Sequence, residues 1–413
     1  MRWQSVDALR GVAALAVMVC HAWGWFVHDN LQAQGGAWWL AFPVTLGHTG
    51  VHLFLVLSGF CIHMRWARMS EQTPGVQVQW WDFWKRRMVR LYPPYVVALL
   101  ASLALSVLIE MWLNSDYTWS GMQAQQAMLP WDLLTHLLMV HLFFSAFAFG
   151  GGNGVFWTLA LEEHLYVLYQ PFLWLRQRLG LTGTLMVVGG VCLVWRSVCV
   201  MWLKAPPVNV AVPQGWSAQA MLWMCQAPAR WLEWCLGAVA AEWVLSRRQH
   251  PVILTHPLTA IGLLVAAVLA NQYPYAWIVN DIVWGLGFFV LLNALVMSEN
   301  QATNQSKHHT LILKKGIGWL TACGIGSYSI YLVHLPVLQT SRYVGYHLGL
   351  QNQDWGMALL MLPAMGAALL LAWLFHHGIE KRFMHPHQHA PKQQTAEPIR
   401  ISGPISNPER LAA

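Results

Sequence analysis

Charge is what this sequence has least of. Asp, Glu, Lys and Arg make up 10% of its 413 residues, against about 25% in a typical soluble domain. Hydrophobic residues make up 56%, and windows of roughly 18 or more mostly apolar residues recur along the whole chain. A soluble globular protein is thereby excluded, and a polytopic helical membrane protein is indicated. Cysteine is sparse. The seven (Cys20, Cys61, Cys192, Cys199, Cys225, Cys235, Cys323) all lie in apolar segments and none has C-x-x-C spacing, so neither disulfides nor a metal site is expected. No soluble basic domain accompanies the formal charge of +7. That excess is read as membrane topology, and no nucleic-acid partner is expected. No A-x-A cleavage site follows the N-terminal MRWQSVDALRG, so the first apolar stretch is expected to be a retained helix rather than a signal peptide. Tryptophan, by contrast, is abundant. Many of the 26 lie near segment ends, as in Trp38–Trp39 and Trp80–Trp81, which fits interfacial aromatic belts.

These features predict an all-α fold, a polytopic transmembrane bundle of about ten spans: 8–27, 47–65, 91–113, 154–175, 181–203, 227–246, 254–271, 276–297, 319–345 and 355–376. With the N-terminus inside, every Lys and Arg of the 24 except Arg196, Lys204, Arg230 and Arg342 falls in an internal loop or flank. The positive-inside rule then sets both termini in the cytoplasm. Residues 131–150, WDLLTHLLMVHLFFSAFAFG, are long enough to cross. Crossing would turn Arg176 and Arg178 outward and invert the later pattern. The segment also holds Asp132, His136 and His141, so it is read as a re-entrant or interfacial outer helix. Residues 1–378 form one transmembrane domain in this reading. Residues 379–413 form a polar, proline-rich, disordered cytoplasmic tail. His308, His309, His376 and His377 are read as interfacial.

Ionisable residues inside a span are costly and functional by default. In DALRGVAALAVMVCH (7–21), Arg10 and His21 are eleven apart. At 100° per residue they share one helix face, about 16 Å apart along the axis. Asp7 lies one turn before Arg10. Structural alternatives exist: Arg10 snorkelling to the interface and His21 bonding a neighbouring helix. Other polar groups converge at similar depth. Counted from the cytoplasmic edge, Glu162 falls at roughly 18 Å, His21 at roughly 20 Å, His334 at roughly 22 Å and Ser58 near roughly 13 Å. Four helices thus contribute to one polar slab, which predicts an interior cavity. In DFWKRRMVRLYPPY (82–95), Arg87 and Arg90 stand at i, i+3 and can face one anion. Guanidinium forks suit phosphate oxygens, although such residues can also be ordinary positive-inside charge. Pro93 and Pro94 would fix the entry of the third span.

In their order these motifs resemble the acyltransferase-3 family of integral membrane acyltransferases. The resemblance rests on DALRGVAALAVMVCH, GVHLFLVLSGF (50–60), RRMVRLYPPY (86–95), FWTLALEEHLYVLYQP (156–171) and SYSIYLVHLP (327–336), and it runs from residue 1 to about 385. It implies a membrane-bound O-acyltransferase. Such an enzyme takes an acyl group, read as acetyl, from cytoplasmic acyl-coenzyme A. It delivers the group to a hydroxyl of an extracytoplasmic glycan or lipid-linked acceptor. No permanently bound cofactor is implied, and the setting implied is a bacterial inner membrane. His21 would be catalytic, with Glu162 orienting its imidazole. Arg10, Arg87 and Arg90 would handle the donor, and Asp7, Ser58, Gly59, Trp157, Thr158 and His334 would line or support the cavity.

Two departures from the family pattern stand out: His52 where many members are acidic, and Thr158 for the usual serine. No segment resembles the hydrolase-like domain that some members append, so the acceptor is expected to be handled by the membrane domain or another protein. Two other classes fit the buried charges: a proton-coupled secondary transporter of a small anionic or sugar substrate, and a non-catalytic membrane scaffold.

Overall fold

The computed structural model describes residues 3–29, 46–47, 49–73, 75–113, 119–201, 222–246, 250–271, 273–304, 311–353 and 355–384. Trp38–Trp39, Lys204, His308, His309 and the tail from residue 385 lie outside the described residues. Helices and helical turns account for the regular structure among those described. The helices are α1 (Gln4–Trp23), α2 (Thr49–Gln72), α3 (Trp80–Leu113), α4 (Trp119–Leu137), α5 (Trp157–Met201), α6 (Ala227–Leu245), α7 (Pro257–Ala270), α8 (Asn280–Asn304), α9 (Leu311–Ile325), α10 (Ser327–His347) and α11 (Gly356–Gly378).

Among the described residues, six helices are long and apolar enough to cross a membrane, or seven if α9 and α10 are one broken span. The chain is a multi-pass membrane protein, but the expected ten spans are not confirmed among the described residues, for four local reasons. First, the expected spans 154–175 and 181–203 form one helical element. Its 45 residues would measure about 68 Å, over twice the hydrocarbon core, and Gly180 at φ 69°, ψ 179° divides it. Second, α6 carries Arg230, Glu233 and Glu242, more charge than a lipid-exposed span tolerates. Third, α7 has only 14 residues, about 21 Å. Fourth, the expected span 319–345 is bent by 76° between Ile325 and Ser327.

Two other expectations change. Residues 131–150 are not a continuous helix. α4 ends at Leu137, and Met139 takes a left-handed φ of 56°. Turns then run through a short 3-10 segment, His141–Phe143, to Gly152. Pro93 and Pro94 do not start a span but lie inside α3. Lacking N–H groups, they leave the carbonyls of Val89 and Arg90 without their intrahelical donors.

The helix pairs that meet most extensively are α2 with α6, α1 with α9, and α10 with α11. Glycines make the first of these possible. A Cβ on Gly59 would lie 1.9 Å from Trp234 O, and one on Gly237 would lie 1.9 Å from Val56 O. Small residues that let backbones approach this closely are a common device of membrane helix packing. Gly59 is therefore a packing glycine within a continuous helix. The same closeness joins α1 to α9, where a Cβ on Gly324 would lie 1.7 Å from Asp7 O. With α1 in contact with both α2 and α10, α3 and the first arm of α5 complete the wall of a shared interior.

Candidate active site

That interior contains a cavity of about 150 Å³. Arg10 enters from α1, Ser58 and Cys61 from α2, and Arg87 and Arg90 from α3. Thr158, Glu162 and Tyr166 come from α5, and Ser327, Tyr328 and Tyr331 from α10. Glu380 comes from the 3-10 turn after α11. The helical spacings explain the set. Ser58 and Cys61, Arg87 and Arg90, and Glu162 and Tyr166 are each three or four apart, hence on one face of their helix. The break before Ser327 turns the start of α10 into the cavity.

Three guanidiniums thus meet two carboxylates in one enclosure. Glu162 Oε1 accepts from Ser58 Oγ and from Tyr166 OH, both at 2.6 Å, and Ser58 Oγ accepts from the Trp234 indole N–H at 3.3 Å. Arg87 lies over the rings of Phe83 and Tyr166, 5.2 and 5.7 Å from their centroids. Its Nε is buried without a hydrogen-bond partner. Thr158 Oγ1 bonds Tyr331 OH at 2.5 Å, so threonine keeps the hydroxyl function expected of serine there. Tyr328 OH donates to Leu91 O at 2.9 Å, pinning α10 to α3 between Arg90 and Pro93.

Glu380 was not anticipated. It is 3% exposed, its Oε2 accepts from Ser329 Oγ at 2.5 Å, and it lies 2.7 Å from His376 Nδ1. The ordered bundle therefore extends through Met384 rather than stopping at 378, and His376 is engaged rather than merely interfacial. The spacing of His376 and Glu380, four apart at the end of an apolar helix, was the available signal. Tyr331, Tyr328 and Tyr166 were also missed, although Tyr331 and Tyr166 lie about one helical turn from His334 and Glu162, and Tyr328 lies within two turns of His334.

His21 is not among the residues lining the cavity. Its Nδ1 lies 3.1 Å from His334 Nε2, with the rings stacked at 5.3 Å. Glu162, whose bonds go to Ser58 and Tyr166, does not orient this imidazole. An apolar layer separates the two. Val17, Val155, Tyr331 and Leu335 cluster there with Trp25, Val51, Phe54 and Leu159, and Val51, Phe54, Leu159 and Tyr331 also line the cavity. His21 stands in the last turn of α1, just before a π-helical turn, Gly24–His28. Trp157 packs beside the core at the start of α5. Asp7 is 7% exposed against α9 and does not line the cavity.

Asn153 links the turn before α5 to the α10 backbone beside His334. Pro336 has no N–H, so Leu332 O lacks its intrahelical donor. Asn153 Nδ2 supplies one at 2.8 Å.

A second buried polar cluster surrounds His52. His52, Glu233 and Asp281 each offer a ligand atom within 4.8 Å of the others. The set does not fit a cation, because guanidiniums already fill that role. Arg230 Nη1 lies 3.3 Å from Glu233 Oε1 and 2.6 Å from Asp281 Oδ2. Arg196 Nη1 lies 2.6 Å from Asp281 Oδ2. Two arginines balance two carboxylates, and His52 Nδ1 lies 2.6 Å from Glu233 Oε2.

Comparison with known proteins gives a family model described as "Acyltransferase domain", which matches residues 3–377. The acyltransferase MdmB of Streptomyces mycarofaciens is 26% identical, covering 93% of this chain and 92% of its own length. A putative peptidoglycan O-acetyltransferase of Bacillus subtilis, YrhL, is 24% identical over 91% of this chain and 54% of its own. The peptidoglycan O-acetyltransferase OatA of Listeria monocytogenes is 23% identical over 81% of this chain and 49% of its own. The chain thus spans about half the length of the latter two. No solved structure matches.

Proposed function

This chain belongs to the acyltransferase-3 family and is an acyl-transferring enzyme, and from that premise we propose that it is a membrane O-acetyltransferase. In this reading acetyl-coenzyme A binds from the cytoplasm, and the acceptor is a hydroxyl of an extracytoplasmic glycan or glycolipid of a bacterial envelope. Two relatives named peptidoglycan O-acetyltransferases support an acetyl group and an envelope acceptor. The observation that carries the reading is the meeting of Arg10, Arg87 and Arg90 in one cavity whose far wall adjoins His21 and His334. Three guanidiniums suit the phosphates of a nucleotide-bearing donor. A pantetheine arm would cross the remaining distance to His21, about 16 Å from Arg10 by helix rise.

The chemistry follows from the residues. The acceptor oxygen attacks the thioester carbonyl while His21 removes the hydroxyl proton, as an imidazole can near neutral pH. The tetrahedral adduct collapses and expels the coenzyme A thiolate. His21 returns the proton to that thiolate, which completes the balance. Glu162 is held by Ser58 and Tyr166 away from His21, and it would shape the passage rather than take the proton.

The test is thiol release from acetyl-coenzyme A by purified protein in liposomes, with and without an envelope glycan acceptor. Wild-type release that disappears in His21→Ala is expected. Donor binding without release, or release untouched by His21→Ala, overturns the assignment of His21. Absence of both binding and release in folded protein overturns acetyl-coenzyme A as the donor.

A further inference from the structure

We propose that His334 is the positioning residue of the active site: it holds His21 as the Nδ1–H tautomer, so that Nε2 is the nitrogen that takes the acceptor's proton. The inference rests on the reading of His21 as the base.

The hydrogen bonds fix the assignment. His334 Nδ1 lies 2.9 Å from Ile330 O and 2.9 Å from Tyr331 O. Carbonyl oxygens only accept, so His334 Nδ1 carries a hydrogen. A neutral imidazole then has its lone pair on Nε2. That Nε2 faces His21 Nδ1 at 3.1 Å, so His21 Nδ1 must donate and its own lone pair is on Nε2. His334 is fully buried.

The surroundings keep His334 in place. Tyr331, one turn earlier, packs its ring 5.7 Å from that of His334, and its hydroxyl is held by Thr158 Oγ1 and by Val155 O at 3.2 Å. Asn153 secures the carbonyl that Pro336 leaves open. The arrangement does what the carboxylate does in a Ser-His-Asp triad, which fixes a tautomer and supports the imidazolium, but with a neutral acceptor. A neutral acceptor supports the imidazolium less than a carboxylate would. His21 therefore stays the weaker base and returns its proton readily to the departing thiolate.

Four proteins decide the matter: wild type, His334→Leu, His334→Gln and His334→Glu, each checked for an unchanged melting temperature. Leucine cannot accept the hydrogen bond, and thiol release should fall by about 100-fold, less than the roughly 10⁴ seen when a triad carboxylate is neutralised. Glutamine accepts through Oε1 and should recover most of that loss. Glutamate stabilises the imidazolium and should move the acidic limb of kcat/KM against pH upward by about one unit or more. A merely structural role would not move that limb. A limb unmoved in His334→Glu, or glutamine no better than leucine, overturns the proposal. So does a second measurement that needs no turnover: nitrogen-15 spectra of histidine-labelled protein, assigned by difference against His21→Ala, should give the Nδ1–H tautomer for His21. Finding the Nε2–H tautomer overturns the proposal whatever the kinetics. Failure of the His21 reading is distinguishable, because it appears as thiol release that survives His21→Ala.

Discussion

Replacing Arg87 by alanine should weaken the full donor and spare a truncated one. The guanidinium is held flat by two aromatic rings, with its centre 5.2 Å from Phe83 and 5.7 Å from Tyr166. Its buried Nε lacks a partner, an unusual state for a polar group that could be satisfied cheaply. It is therefore preorganised to receive an acceptor at the cavity wall. A hydrogen bond to a charged group is worth about 1.5–3 kcal/mol, so losing one such contact to a phosphate should lower kcat/KM for acetyl-coenzyme A by about 10- to 150-fold. S-acetylpantetheine carries no phosphate and should lose less than about 3-fold, within what ring repacking alone would cause. Arg87→Lys keeps the charge but not the planar fork or the stacking, and should fall between the two. The assay is thiol release with both donors over a range of concentrations. Equal losses with the two donors would refute the phosphate role and mark Arg87 as structural. No loss with acetyl-coenzyme A would remove Arg87 from the donor site altogether.

Gly59→Val should fail to assemble normally. Its Cβ would fall 1.9 Å from Trp234 O, and overpacking of this kind costs about 1–3 kcal/mol or more; thermal unfolding followed by a thiol dye on buried Cys192 and Cys235 measures it, and an unchanged midpoint refutes the packing role. Arg196→Met leaves a net negative charge in a fully buried cluster and orphans the carbonyls of Ile278 and Trp277, at a cost of about 3–5 kcal/mol. Adding Asp281→Asn should restore part of that stability in the same assay, whereas strictly additive losses would argue against the charge balance. His141, in the turn after α4, has its pKa pushed down to about 3, first by burial and then by His136. Its neutral form is the native one, so the stability it contributes is complete above its unfolded value of about 6.5 and is lost as pH falls toward 3, by up to about 1.4 kcal/mol per pH unit. Denaturation followed between pH 7 and 4 should show a shallower slope in His141→Leu, and equal slopes would refute the assignment.

The chemistry was more legible in the sequence than the architecture was. Arg10, Ser58, Arg87, Arg90, Thr158 and Glu162 all reach one cavity, because helix periodicity and membrane depth place side chains without reference to tertiary detail. Span counting went beyond what the described helices confirm where hydropathy carries no directional information. A glycine at positive φ turns one apolar run into two arms, and a bend at Gly326 splits another. A third segment, α6, can carry its charges because they are paired across helices. Arg230 and Glu233 look like liabilities on α6 alone, and their partners Asp281 and His52 are far away in the chain. Glu380 was hidden for the opposite reason. It follows an apolar helix and precedes a polar tail, so composition assigned it to the tail, while its contacts with Ser329 and His376 draw it into the bundle.

The stripe on α1 explains how donor charge and proton transfer can be coupled and still kept apart. Arg10 and His21 share one face of the helix, and Val17 lies between them on that face, seven residues from the first and four from the second. Arg10 reaches the cavity, Val17 packs in the apolar layer with Tyr331, and His21 meets His334 beyond it. On the proposed reading, a thioester bound for His21 must cross this layer, in which the rings of Phe54 and Tyr331 lie 5.8 Å apart in an edge-on contact. Tyr331 is the hinge of that argument, since it lines the cavity, bonds Thr158 and packs against His334 at once. Movement of its ring would open the passage and disturb the support of His334 together. His334 supports His21 in its working tautomer behind the closed apolar layer, which limits loss of the thioester to water.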